Sequence, residues 1–285
     1  MRKNIFTLFL LVTSSLLSAE QIKVVAAENF YGDLAKEIGG PYVSVTSIMK
    51  NPNQDPHLFS SNTSTAKAIA NAQLIIYNGI NYDPWMVNLI NANKNHTKTI
   101  LIVADLIGKN TGDNPHIWYD PDAMPAYTKK LVSELVQLDP EHEEYFEGKL
   151  SKFRENYEEL ENKIAEIREQ FQGTPIIATE PVFNYMAEAL GLIIYGKKFQ
   201  LSVMNDTEPT ASDTRDFMDK LNNHEVKVLI YNNQVTNPLT ERMLNTAKKA
   251  GIPAMGVTET QPPKQTFIGW MLSQLNALQK ALQQT

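Results

Sequence analysis

The 285-residue sequence contains no cysteine. That single absence excludes a disulfide framework, thiolate metal sites, a cysteine nucleophile and a lipid-modified N-terminal cysteine. Positive charge is also in short supply, with 26 lysines and arginines against 32 aspartates and glutamates and a net charge of −6. No basic patch offsets the deficit, so nucleic acid is not an expected partner. Nor are the common catalytic signatures present: the sequence holds no Gly-x-Ser-x-Gly elbow, no phosphate-binding P-loop and no His-Glu-x-x-His pair. The one Gly-Gly pair, Gly39-Gly40, sits at a helix end and reads as a C-cap and turn. With 42% hydrophobic and 20% charged side chains, the chain is neither disordered nor a multi-pass membrane protein.

The first residues carry an address. Arg2 and Lys3 precede a largely apolar stretch, Ile5 to Leu17, and small residues Ser18 and Ala19 come before polar sequence. That order is a secretory signal peptide, and the apolar stretch is short for a membrane span. Cleavage after Ala19 would remove two positive charges and leave the mature chain more acidic still. The expected location is the periplasm, with no membrane insertion of the mature chain.

Beyond residue 19, short β-rich runs alternate with helical stretches. Strands are expected at Ile22–Val25, Val43–Met49, Leu74–Tyr77 and Thr99–Val103, with helices at Phe30–Ile38, Thr63–Ala72, Pro84–Asn93 and Ala123–Leu138. Apolar strands separated by helices indicate parallel sheets covered on both faces. The stretch Pro140–Gln172 differs. Phe146, Leu150, Phe153, Tyr157, Leu160, Ile164, Ile167 and Phe171 recur at alternating spacings of four and three. This is one amphipathic helix, closed by Gly173-Thr-Pro175. About 30 residues at 1.5 Å each span on the order of 45 Å, the length of a two-lobed protein. A second α/β half follows: strands Pro175–Thr179, Leu192–Tyr195, Val226–Tyr231 and Pro253–Val257, and helices Pro181–Leu190, Ser212–Asn222, Leu239–Ala250 and Phe267–Leu282. The expected fold is α/β, two lobes with parallel sheets joined by one long rigid helix. The divisions are 1–19 for the signal peptide, 20–139 for the first lobe, 140–172 for the helix and 173–285 for the second lobe.

Ligands of open α/β sheets bind at the carboxyl ends of strands. Four residues with metal-ligand chemistry fall there. His57 lies in Asn-Gln-Asp-Pro-His after the second strand, and His116 in Asn-Pro-His-Ile-Trp-Tyr-Asp-Pro after the fourth. Glu180 ends Pro-Ile-Ile-Ala-Thr-Glu, and Glu259 ends Met-Gly-Val-Thr-Glu. Two neutral imidazoles and two carboxylates supply N2O2 ligation with a charge of −2, which matches Mn²⁺, Fe²⁺ or Zn²⁺. His96, His142 and His224 read as solvated surface histidines. Trp85, Trp118 and Trp270 read as packing residues, and Asp120-Pro-Asp122 as a turn and cap.

Asp55-Pro-His57, the Asn-Pro-His116-Ile-Trp block with Asp120-Pro121, the long helix, Thr179-Glu180-Pro-Val-Phe183 and Thr258-Glu259 together resemble the metal-binding solute-binding proteins of zinc and manganese ABC importers. The resemblance covers the whole mature chain. It implies one divalent transition-metal ion (Mn²⁺ or Zn²⁺, with Fe²⁺ behind them) held in a cleft by His57, His116, Glu180 and Glu259. It implies delivery of that ion to an ABC permease and its ATPase, with no catalysis. The family commonly has Asp at the position of Glu259, so Asp206 or Asn232 stands as an alternative fourth ligand. The short, His-free loop Gly108–Asp113 and the carboxylate at position 180 look closer to manganese-type members. The competing readings are a secreted metal-dependent hydrolase with three protein ligands and a bound water, and an adhesin using the same fold. No obligate oligomer is expected, and the chain reads as a monomer.

Overall fold

The computed structural model describes residues 20–51, 59, 61–93, 98–235 and 237–284. Among these residues there are two four-stranded parallel sheets. The first joins β1 (Ile22–Glu28), β2 (Val43–Met49), β3 (Leu74–Tyr77) and β4 (Thr99–Ile102) in the order β2-β1-β3-β4. The second joins β5 (Pro175–Ala178), β6 (Ile193–Tyr195), β7 (Leu229–Asn232) and β8 (Ala254–Val257) in the matching order β6-β5-β7-β8. Each sheet therefore reverses its winding between its first and third strands, which opens a crevice beyond their carboxyl ends.

Helices α1 (Asn29–Gly39), α2 (Thr63–Asn71), α3 (Pro84–Ala92), α4 (Val103–Leu106) and α5 (Ala123–Leu138) accompany the first sheet. After the long α6 (Glu143–Phe171) come α7 (Asn184–Ala189), α8 (Lys197–Met204), α9 (Ala211–Asn222), α10 (Pro238–Lys249) and α11 (Phe267–Gln283). Two of these, α4 and α8, are absent from the sequence reading. The four-residue α4 follows directly on an apolar strand and has no periodicity to read, and α8 opens at Gly196 in a left-handed conformation (φ 77°) without a side-chain cap. The long helix also starts later than Pro140. Pro140–His142 forms a 3-10 turn, because the Asp139 carboxylate draws in His142 Nδ1 at 2.7 Å. His142 is not simply solvated: its ring stacks on Tyr42 at 3.7 Å. His224 is exposed, and His96 lies outside the described residues.

The apolar stripe of α6 does what its spacing implies. Phe146, Leu150, Phe153, Tyr157, Leu160, Ile164 and Ile167 are all buried and belong to one core that runs through both halves. Aromatic rings form the centre of that core. Phe30 meets Trp118 at 5.1 Å and Trp270 at 5.8 Å, and Tyr119 meets Phe183 at 5.1 Å and Trp270 at 5.9 Å. All but the Phe30–Trp118 contact cross from the first half to the second. An apolar junction of this kind resists the lobe motions that a polar, wet one permits. Gly40 is required at the turn after α1: its φ is 54°, and a Cβ there would overlap the Tyr145 hydroxyl.

Truncation along the α6 stripe should therefore destabilise the whole chain. Phe153→Ala is expected to cost about 3–5 kcal/mol, whereas Glu155→Ala on the exposed face should stay within about 0.5 kcal/mol. Denaturant unfolding of the two variants beside wild type checks this, and equal effects would contradict it.

Candidate metal centre

Strand register brings the site together from the second sheet. Ala178 of β5 pairs with Ile230 of β7, so Glu180 and Asn232, two residues further on, emerge side by side on the same face. Asn232 in turn pairs with Val257 of β8, and Glu259 lies two residues beyond. Neither glutamate ends its strand as the sequence implies. Both stand two residues past it, where Glu180, in an extended conformation, precedes a 3-10 turn begun by Pro181. The side chains of Glu180, Asn232 and Glu259 are 3%, 2% and 0% exposed.

One amide holds the two carboxylates. Asn232 Nδ2 donates to Glu259 Oε1 at 2.6 Å and to Glu180 Oε2 at 3.1 Å. Its orientation is fixed from behind, because Asn232 Oδ1 accepts the backbone N–H of Gln234 at 2.9 Å. Gln234 continues the scaffold: its Oε1 accepts the N–H groups of Glu259 and Thr260 at 2.6 and 3.1 Å.

The first sheet contributes His116 and Tyr82. His116 lies in the loop between β4 and α5 and is fully buried. Its Nδ1 lies 2.6 Å from Asn114 Oδ1, and the Asn114 Nδ2 donates to the Pro181 carbonyl at 2.8 Å. Because Nδ2 must face that carbonyl, Oδ1 must face the histidine, and an amide oxygen can only accept. The proton of the neutral imidazole is thus assigned to Nδ1, and Nε2 keeps its lone pair. That Nε2 has no hydrogen-bond partner and faces Glu259 Oε2 at 3.4 Å. Tyr82 donates to the same oxygen at 3.0 Å. Burial and the nearby glutamate charge push the Tyr82 phenol far above its ordinary range, so it remains a donor.

Tyr82 is aimed by a strained turn. Gly79, Ile80 and Asn81 take φ values of 88°, 44° and 65°, and a β-branched residue in that region costs on the order of 1–3 kcal/mol. Asp83 supports the turn by accepting the N–H groups of Asn78 and Gly79 at 2.7 and 2.9 Å. Asn78 also donates to the Pro115 carbonyl at 2.9 Å, tying the turn to the His116 loop. Behind the turn Asp83 neighbours Glu28, the last residue of β1. Burial and the neighbouring carboxylate push Glu28 well above its usual range, and burial raises Asp83 to about 6.

Three of the four residues expected from sequence, His116, Glu180 and Glu259, meet at this junction. His57 lies outside the described residues. Among the described residues no three histidine, aspartate or glutamate side chains are close enough to hold an ion unaided. The amide of Asn232 links Glu180 and Glu259. Asp206 is exposed at the end of α8, away from this buried cluster. Tyr82, Asn114 and Gln234 escape the sequence reading. Only the adjacency of Asn114 to Pro115-His116 offers a signal for any of them.

The chain matches the profile of the family described as ZnuA, zinc-uptake complex component A, periplasmic, over residues 24–281. It belongs to that family. The manganese ABC transporter substrate-binding lipoprotein PsaA of Streptococcus pneumoniae is 27% identical over 255 residues, covering 83% of this chain and 79% of that one. Two solved structures share the fold. The periplasmic zinc-binding protein TroA from Treponema pallidum superposes with a TM-score of 0.78 at 17% identity, over 92% of this chain and 99% of that one. A mutant of the laminin-binding adhesin Lmb from Streptococcus agalactiae gives 0.76 at 20% identity, with 92% and 99% coverage. The ZnuA family consists of binding components of importers and not of enzymes, which removes the hydrolase reading.

The buried Glu28–Asp83 pair generates a pH dependence. An acid whose folded pKa is raised takes up a proton on folding, so stability falls as pH rises above its unfolded value, 4.5 for Glu28. Glu28→Gln mimics the protonated form and does not titrate. Its melting temperature relative to wild type is expected to climb between pH 5 and pH 8, and a constant difference would contradict the assignment.

Proposed function

We propose that this chain captures one divalent transition-metal ion, Mn²⁺ or Zn²⁺, in the periplasm and passes it to an ABC permease driven by its ATPase. The observation that carries the reading is the pair His116 Nε2 and Glu259 Oε2, 3.4 Å apart in a fully buried site. With the Nδ1 proton assigned to the Asn114 contact, Nε2 presents a lone pair to a carboxylate oxygen, and two facing acceptors call for a cation between them. Two ligands on one tetrahedral zinc, with bonds near 2.05 Å, stand about 3.3 Å apart.

The proposed ligands are His57, His116, Glu180 and Glu259. Two imidazoles and two carboxylates give neutral coordination of a divalent ion, and the burial of His116, Glu180 and Glu259 removes competing water. Because the histidine ligands must be deprotonated, capture competes with protons and weakens in acid. The relatives' names assign manganese to PsaA and zinc to TroA, and the same donor set accommodates either ion. We place the lobe boundaries at 20–139 and 173–285 with the helix at 140–172, and residues 1–19 as the export signal. Relatives such as PsaA are named as lipoproteins, whereas this sequence contains no cysteine to carry a lipid; the chain is proposed to work as a monomer.

The continuous α6 and the aromatic junction argue for release by small local movements. Small-angle scattering with and without metal should give nearly the same radius of gyration, and a large contraction on loading would count against this mechanism. The site itself is tested by elemental analysis of protein purified without added metal, beside a His57→Ala/His116→Ala double variant. About one equivalent of manganese or zinc, lost in the variant, is expected. Absence of metal from wild type even after reconstitution with both ions would end the proposal.

A further inference from the structure

We propose that Tyr185 and Lys109 are positioning residues for metal capture. Through Asn114 they clasp the loop that carries His116 to the second half of the chain, and the opening of this clasp sets how fast the ion enters and leaves. The inference rests on the metal-site reading above and goes beyond it by assigning the kinetics of that site.

A chain of contacts runs from the surface to His116. Lys109 Nζ stands 4.2 Å from the centre of the Tyr185 ring and 3.3 Å from Asp120 Oδ2. Lys109 and Asp120 flank His116 in sequence, so their ion pair draws together the two ends of its loop. Tyr185 comes from the other half, in the first turn of α7. Its hydroxyl donates to the Asn114 carbonyl at 2.9 Å. Burial, and then the carboxylates of Asp113 and Asp120, push this phenol up to about 12, so it stays a donor. The Asn114 side chain faces two ways. Its Nδ2 donates to the carbonyl of Pro181, next to Glu180, at 2.8 Å, while Oδ1 accepts from Nδ1 and the backbone N–H of His116 at 2.6 and 3.2 Å.

His116 is thus fastened on both sides. Beyond it, Tyr119 is fully buried, and its hydroxyl lies 2.7 Å from the Thr258 carbonyl and 2.8 Å from Gln274 Oε1. Ahead of it, Lys109, Asn114 and Tyr185 are only half-buried, and residues 110–113 between them are exposed. Contacts that water reaches open at lower cost than contacts in a core. An ion reaches the fully buried His116 and Glu259 only through an opening, and the clasp is the fastening of His116 most easily undone. None of its contacts uses His116 Nε2, the atom offered to the ion. Weakening the clasp therefore raises the opening of empty and loaded protein alike, so entry and release quicken together and affinity hardly moves. A residue that shaped the ligands themselves would change affinity.

The test uses the full mature chain with Zn²⁺ alone and then Mn²⁺ alone. Stopped-flow mixing gives the association rate constant, and displacement by a chelator gives the release rate constant. The variants are Tyr185→Phe, which removes only the hydroxyl, and Lys109→Met, which removes the charge. The control is Lys220→Met, because Lys220 stands 4.4 Å from the centre of the Tyr195 ring on the outer strand of the second sheet. Both rate constants should rise about fivefold in Tyr185→Phe, the worth of one hydrogen bond, and about threefold in Lys109→Met. Kd should stay nearly constant, and Lys220→Met should change nothing. In metal-free protein, hydrogen exchange of the His116 amide should quicken by the same factors. Rate constants at wild-type values, a Kd that weakens with association unmoved, or an equal effect of Lys220→Met overturns the clasp while leaving the metal site standing. Wild type that binds neither ion, or His116→Ala that binds as tightly as wild type, overturns the metal-site reading and this inference with it.

Discussion

Two glutamates are buried within reach of one amide, and that constraint organises the rest of the site. A buried carboxylate is costly unless it is hydrogen-bonded and its charge is answered. Asn232 and Tyr82 supply hydrogen bonds, which steady an anion without neutralising it. On the proposed reading, a divalent cation beside the His116 imidazole answers both carboxylates at once. A fold that used these carboxylates only for its own stability would gain by replacing them with apolar side chains.

The backbone explains why those side chains meet. Both sheets wind in the same order, so each presents a crevice between its first and third strands. In the second sheet that crevice is bordered by Glu180 and Asn232, level with one another through the Ala178–Ile230 pairing. In the first it is bordered by the turn that carries Tyr82. The aromatic junction of Phe30, Trp118, Tyr119, Phe183 and Trp270 sets the two crevices against each other. Further contacts fix the separation: Asn29 exchanges two hydrogen bonds with the backbone of Gln261, and Tyr119 donates to the Thr258 carbonyl at 2.7 Å. The segment bearing Glu259 is therefore fastened to the first half of the chain as firmly as to the second.

Much of this was legible in the sequence because it rests on periodicity. The four-three spacing from Phe146 to Phe171 can be satisfied only by a long helix with one buried face, and the β runs marked the strands to within a few residues. Glu180 and Glu259 were legible as candidates because open α/β sheets place ligands past the carboxyl ends of their strands, and His116 because it follows the fourth strand in an Asn-Pro-His-Ile-Trp block. What stayed hidden depends on contacts between distant segments. Tyr82 reaches Glu259 across 177 residues of chain, and only three successive positive φ angles aim it. Asn114 and Gln234 act through single hydrogen bonds that no composition or spacing announces. Asn232 was legible as an alternative fourth ligand, but its bridge between the two glutamates follows from strand register, which the sequence alone does not fix.

The most direct measurement is the anomalous diffraction of crystals grown with zinc or manganese and recorded at the absorption edge of the metal. The account predicts a single strong peak between His116 Nε2 and Glu259 Oε2, with Glu180 and His57 completing its coordination. A peak elsewhere on the chain, or none at that position in crystals that contain the metal, would contradict it.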